Sequence, residues 1–259
     1  MRLLAFIDRL LQGAASSPGS TLLQAIGTTE PRCPYCGGAL EKMPGAKKKC
    51  PSCRNFIYVR TRPLDNKKVL LRDEDRELLD EQWAIANGSH AEYLAAKRHR
   101  SEVCQQLARK LGRPPAADEL EWHLLEDELR TTARDGNWGL YRNAKLNMAS
   151  IVRKRGDPAA ALALLLEVCY LDLNGPRNCG GMGSDPRHGP HYRPFSAKEA
   201  LLAPAVLGEV ADLVADLHDD IEATRATFLE VAGRVFADLS LPIHPEKAWN
   251  RLARELSTA

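Results

Sequence analysis

Four of the seven cysteines stand in two Cys-x-x-Cys pairs, Cys33-Pro-Tyr-Cys36 and Cys50-Pro-Ser-Cys53, with thirteen residues between the pairs. Four thiolates at this spacing can close a tetrahedron around one Zn²⁺, each tight turn supplying two ligands. A closed Cys₄ set has no open position for a substrate, so the chemistry expected here is structural rather than catalytic. A thioredoxin-like redox role would need one Cys-x-x-Cys on a βαβ frame, and the flanking sequence has no such pattern. Unpaired core thiols would not explain two copies of Cys-Pro-x-Cys.

The elements that must position these thiols are short. Gly37-Gly38 follows the first pair and allows positive φ, so that backbone N–H groups can turn toward sulfur. Ala39–Met43 reads as a short strand, Pro44-Gly45 as a turn, and Lys47–Lys49 as the return. Asn55–Thr61 alternates, is rich in β-branched and aromatic residues, and should be the longest strand. Residues 31 to 62 closely resemble the zinc-ribbon family, on the strength of Cys33-Pro-Tyr-Cys36-Gly-Gly and Cys50-Pro-Ser-Cys53. The resemblance implies one structural zinc held by Cys33, Cys36, Cys50 and Cys53. The family includes nucleic-acid binders, enzyme subdomains and protein docking modules, so it leaves the function open.

Charge is unevenly spread. Residues 31–70 hold ten Lys or Arg against Glu41 and Asp65, a net +8, while the whole chain carries +2, which leaves −6 for the rest. Lys47, Lys48, Lys49, Arg54, Arg60 and Arg62 cluster around Phe56 and Tyr58. Phe56, Tyr58 and Arg60 fall on one strand face by the period of two. Rings beside cations can stack on bases while the cations meet phosphates, so these eight residues are the candidate contacts for DNA or RNA. The plainer alternatives are a solvated lysine loop and an aromatic pair that forms the ribbon's own core.

The remainder reads as helical. Residues 2–12 place Leu3, Leu4, Phe6, Ile7, Leu10 and Leu11 at helical spacing, an amphipathic helix expected to dock on the protein's own body. Gly13–Gly19 reads as a linker, so the expected organisation is helix and linker over 1–30, ribbon over 31–70, and an α-helical domain over 71–259. Helical patterns begin near Asp73, Ala91, Asp118, Trp138, Ala159, Ala197, Ile221 and Pro245, the one from Ala197 with a break or kink near Pro204. Asp157 and Pro158 form a strong start signal for one of them. Asn143–Asn174 resembles one tetratricopeptide-type helical hairpin, with no second copy at a fixed period. Ala161–Cys169 is apolar nearly all round and should be central core. Residues 174–195 lack any regular pattern, and Cys179, Asp185, His188 and His191 within them are candidates for a second metal, at a spacing that matches no standard site.

No apolar run is long enough to span a membrane, and Asp8 and Arg9 interrupt the N-terminal run against a signal peptide. Scattered Cys104, Cys169 and Cys179 do not suggest a disulfide framework, so a reducing, cytoplasmic setting is expected. There is no nucleophile elbow, phosphate loop or helical His-Glu-x-x-His. The whole is expected to be mainly α with a small N-terminal β ribbon, similar to uncharacterised zinc-ribbon proteins of bacteria and their phages, a resemblance that carries no activity. Two functions follow: a non-enzymatic protein whose basic ribbon touches nucleic acid while its acidic helices engage a protein partner, or a protein–protein adaptor with a purely structural ribbon.

Overall fold

A computed structural model of the chain describes residues 23–178, 194–239 and 241–257. The fold is mainly α, with a small three-stranded antiparallel sheet ahead of the helices. The strands are β1 (Lys48–Lys49), β2 (Phe56–Thr61) and β3 (Lys68–Leu71). The helices are α1 (Asp75–Ala86), α2 (His90–Leu111), α3 (Ala117–Arg134), α4 (Trp138–Lys154), α5 (Pro158–Asn174), α6 (Pro204–Leu217), α7 (Ile221–Leu239) and α8 (Pro245–Leu256). Two compact units result, residues 1–101 and 102–259, and the division falls inside α2. Among the described residues no helix is long and apolar enough to cross a membrane. The amphipathic segment 2–12 and the metal candidates Cys179, Asp185, His188 and His191 lie outside the described residues.

In the first unit the strand order is β1-β2-β3. Strand alternation sends Ile57 and Val59 to one face, where they pack with Leu40, Leu70, Cys33 and Cys50. Tyr58 opposite Leu71, and Arg60 opposite Val69, take the other face. There Val69 and Leu71 pack with Ile26 and Leu79, flanked by Tyr58 and Trp83. Helix α1 thus covers the side of the sheet away from the cysteines, and burying Leu79 alone contributes about 1.5–3 kcal/mol. Trp83 Nε1 donates to the Thr61 carbonyl at 2.9 Å and fixes the helix on the strand end. Thr28 pairs with Leu70 in both directions (3.1 and 2.8 Å), and Gly27 at φ +74° makes that approach, since a Cβ there would sit 2.8 Å from the Leu71 side chain.

The strand expected over Ala39–Met43 does not form; only Ala39 bridges, to Arg32. The Leu40 N–H turns back to the Pro31 carbonyl at 2.7 Å, so this stretch closes the first cysteine turn instead of extending a ladder. Lys48 and Lys49 take the place beside β2, with Lys48 opposite Ile57 and Lys49 opposite Phe56.

In the second unit α5 is the axis. The Asp157 carboxylate accepts the Ala160 N–H at 3.0 Å and Pro158 opens the helix, a start that leaves no orphan donor at the first position. Leu162, Leu165, Leu166, Tyr170, Leu171 and Leu173 are all fully buried, because α4, α6, α7 and α8 pack around α5. At its C-terminal end Asn174 Nδ2 donates to the Tyr170 carbonyl (2.8 Å) and its Oδ1 accepts the Ile243 N–H (2.8 Å). The Tyr170 hydroxyl donates to the Ile243 carbonyl at 2.7 Å, so two bonds at Ile243 tie the α7–α8 connection to α5. The long connection after α5 is closed at its base, where Pro176 bridges Phe195 and Asn178 bridges Asn137.

The helix expected from Ala197 begins at Pro204. Only one 3₁₀ turn forms at Ala197–Glu199, since the proline ring disfavours α geometry at Ala203, which is extended at ψ 125°. Ahead of α2 the Ser89 hydroxyl donates to the Ala84 carbonyl at 3.5 Å.

Candidate metal centre

Each cysteine pair sits in a turn of the same form. In the first, Cys33 N–H donates to the Gly38 carbonyl (2.8 Å) and Gly37 N–H to the Cys33 carbonyl (2.9 Å). In the second, Cys50 N–H donates to the Asn55 carbonyl (2.9 Å) and Arg54 N–H to the Cys50 carbonyl (3.0 Å). The residue after the second cysteine is left-handed in both, Gly37 at φ 71° and Arg54 at φ 64°. That conformation suits glycine and strains arginine.

The two turns bring the four thiols together. Cys33 and Cys53 Sγ lie 3.7 Å apart, Cys36 and Cys50 Sγ 3.8 Å apart, and all four sulfurs fall within 4.8 Å of one another. A tetrahedron with metal–sulfur bonds of about 2.3 Å has edges of about 3.8 Å. The spacing therefore fits one tetrahedral ion, and the cluster can hold one metal. Cys33 and Cys50 are buried and Cys36 is exposed. The approach at Gly38 is close: a Cβ would lie 3.3 Å from Cys36 Sγ and 3.2 Å from Ser52 Oγ, so those side chains would have to give by a few tenths of an ångström. The backbone N–H of Cys53, 3.5 Å from Cys50 Sγ, and that of Ser52 pull the Cys50 thiol down to about 6. Burial pushes the Cys33 thiol up. Among the described residues it is the one cluster of three or more metal-type side chains.

No family model, curated protein or solved structure matches the chain. The likeness to a zinc ribbon rests on the four cysteines, their two turns and the small antiparallel sheet.

The cationic and aromatic candidates fall into four groups. Lys47, Lys49 and Phe56 lie together at the open end of the sheet, with the Lys47 and Lys49 ammoniums 4.4 and 5.1 Å from the Phe56 ring centre. Lys48, Arg54 and Arg60 are also exposed, and one Arg60 nitrogen donates to the Val59 carbonyl at 3.1 Å. Tyr58 is half-buried: Lys47 lies 4.8 Å from its ring, Arg76 4.7 Å, and it packs against the α1 cluster. Arg62 is committed elsewhere. It holds Asp65 through two bonds of 2.8 Å, donates to the Ile26 carbonyl at 3.2 Å, and has an 11% exposed side chain. That pairing holds the Asp65 carboxyl well below the ordinary carboxylate range.

Two residues here carry weight that sequence spacing did not reveal. Tyr35, inside the first turn, accepts the Asp73 N–H on its hydroxyl at 2.8 Å and links that turn to the start of α1. Arg76 pairs with Asp73 at 2.9 Å while covering Tyr58. An aromatic within a cysteine turn was the only available signal for the first, and none pointed to the second.

Proposed function

We propose that the chain is a non-enzymatic zinc protein whose basic ribbon contacts nucleic acid, with the acidic helical unit engaging a protein partner. Zinc is the ion that four thiolates in a closed tetrahedral set suit best, and its work here is to fold the ribbon. The observation that carries the nucleic-acid reading is the open end of the sheet, where Lys47 and Lys49 flank the exposed ring of Phe56. The +8 balance of residues 31–70 supports it. Lys48, Arg54 and Arg60 extend the basic surface; Arg62 is left out because Asp65 already holds it.

The test is fluorescence-anisotropy binding of the zinc-loaded protein to labelled DNA and RNA over a salt series. Affinity should fall linearly in log–log, with a slope of about −2 to −4 for three to five neutralised phosphates. Replacing Lys47, Lys48 and Lys49 with Glu should abolish binding regardless of sequence. Absence of binding at low salt overturns the reading.

A second reading, the adaptor with a purely structural ribbon, draws on a cleft of about 380 Å³ between α4, α5 and α7, lined by Tyr141, Lys145, Glu167, Arg234 and Asp238. A stable protein complex that survives nuclease and loses its partner on Lys145→Glu would favour it.

A further inference from the structure

The open end of the sheet has one available ring, not two. Phe56 is 46% exposed at the first position of β2. Tyr58, next on the same face, is closed in by Lys47 on the sheet side and Arg76 from α1. Beyond Tyr58 the charged groups are paired with one another. Arg76, and to a smaller extent Tyr58, holds the Asp73 carboxyl below the usual range, while Asp75 meets Arg72 and Glu77 meets Lys97 in the first turn of α1. A base can stack on one exposed ring only where it is unpaired, so a strip of one ring beside two ammoniums suits a single strand over a duplex.

The β1–β2 register makes the strip narrow and ordered. Lys49 sits directly opposite Phe56, and Lys47 precedes β1, so two ammoniums approach one ring from neighbouring positions of one edge strand. The ring already attracts cations by its quadrupole. A base stacked on Phe56 would release both ammoniums to the phosphates on its two sides, exchanging each cation–ring contact for a charge-assisted hydrogen bond. Every base has a π-face, so this mode carries little sequence preference.

We infer that this strip takes single-stranded polynucleotide, one base on Phe56 and the flanking phosphates on Lys47 and Lys49. The inference rests on the nucleic-acid reading above and narrows it. The experiment uses full-length, zinc-loaded protein and three labelled probes of about twelve nucleotides per strand: oligo-dT, oligo-U and a mixed-sequence DNA duplex. Either single strand should bind at least tenfold more tightly than the duplex, and the tighter of the two names the source. Phe56→Leu should weaken the single strands about tenfold and leave the duplex unchanged, while Phe56→Tyr should restore them. Zinc stoichiometry and circular dichroism on each variant confirm that the ribbon still folds. Equal or tighter duplex binding, with Phe56→Leu silent, overturns the single-strand inference while leaving phosphate contact standing. No binding of any probe at low salt overturns the underlying reading as well.

Discussion

The interior of the ribbon and the interior of the helical unit are built on opposite terms. Around the cysteines the apolar set is small: Leu40, Ile57, Val59 and Leu70 beside Cys33 and Cys50, with Tyr35 and Met43 partly buried. Around α5 a continuous cluster runs from Ala149 to Leu252, with Tyr170, Phe228 and Trp249 in ring contact at 5.8 and 5.4 Å. Burying six or so apolar side chains cannot offset the conformational entropy of some forty ordered residues, at about 1–2 kcal/mol per residue for backbone alone. The helical cluster can come much nearer. The difference teaches where each unit's stability resides: on the zinc reading, a metal held by four sulfurs in one, and one largely buried helix in the other.

The largest expected effect breaks the comparison open. Chelating the metal, or Cys50→Ser, removes a binding free energy of about 10–16 kcal/mol that a structural zinc contributes to folding. The amide dispersion of residues 31–72 should collapse, while the thermal transition of the α5 core stays in place. A core transition that moves with the metal would show that the two interiors are not independent. Next in size is Arg142→Met. Arg142 holds Asp172 through bonds of 2.8 and 2.7 Å, with side chains only 12% and 8% exposed. Removing the cation strands a buried carboxylate and should cost about 3–5 kcal/mol, whereas the double change Arg142→Met with Asp172→Leu should recover most of that loss. Chemical denaturation of the three proteins decides it. Leu165→Ala, at a fully buried site on α5, should cost about 2–5 kcal/mol and leave zinc affinity unchanged.

Sequence pattern reached the two interiors by different routes. The cysteine set was legible because metal geometry demands fixed spacing, and α5 because an apolar run with Asp157 and Pro158 ahead of it has few other structures open to it. Period two placed Phe56, Tyr58 and Arg60 on one face, and the register agrees, with Leu71 and Val69 opposite Tyr58 and Arg60. What pattern could not reach was long-range pairing. Helix α1 covers the sheet through Leu79 and Trp83, which no local signal announces. Arg62 looked like a free cation until Asp65, three residues on, folded back to it around the turn. The Ala39–Met43 strand failed because its Leu40 N–H had a nearer acceptor in Pro31. The start at Pro204 rather than Ala197 reflects a proline constraint visible in sequence, which gave a break there without telling which side would stay helical.

The smallest expected effect sharpens the comparison within the ribbon itself. The two cysteine turns share their hydrogen bonds, yet the left-handed position is glycine in one and Arg54 in the other. A non-glycine residue there costs about 1 kcal/mol or somewhat more, and glycine's greater freedom in the unfolded chain returns about half to all of that. Arg54→Gly should therefore stabilise the zinc-loaded ribbon by up to about 1 kcal/mol, and Gly37→Ala should destabilise it by a similar amount. Arg54 is exposed, so removing it sacrifices no buried contact. If strain is tolerated at this site for the sake of a cation, Arg54→Gly should also weaken polynucleotide binding and lower the salt slope by about 1. Arg54→Asn separates the two causes, because Asn tolerates the left-handed region and carries no charge. Binding lost in both variants assigns the arginine to phosphate contact. Binding kept in both leaves Arg54 a strained turn residue and shrinks the nucleic-acid surface to the strip around Phe56.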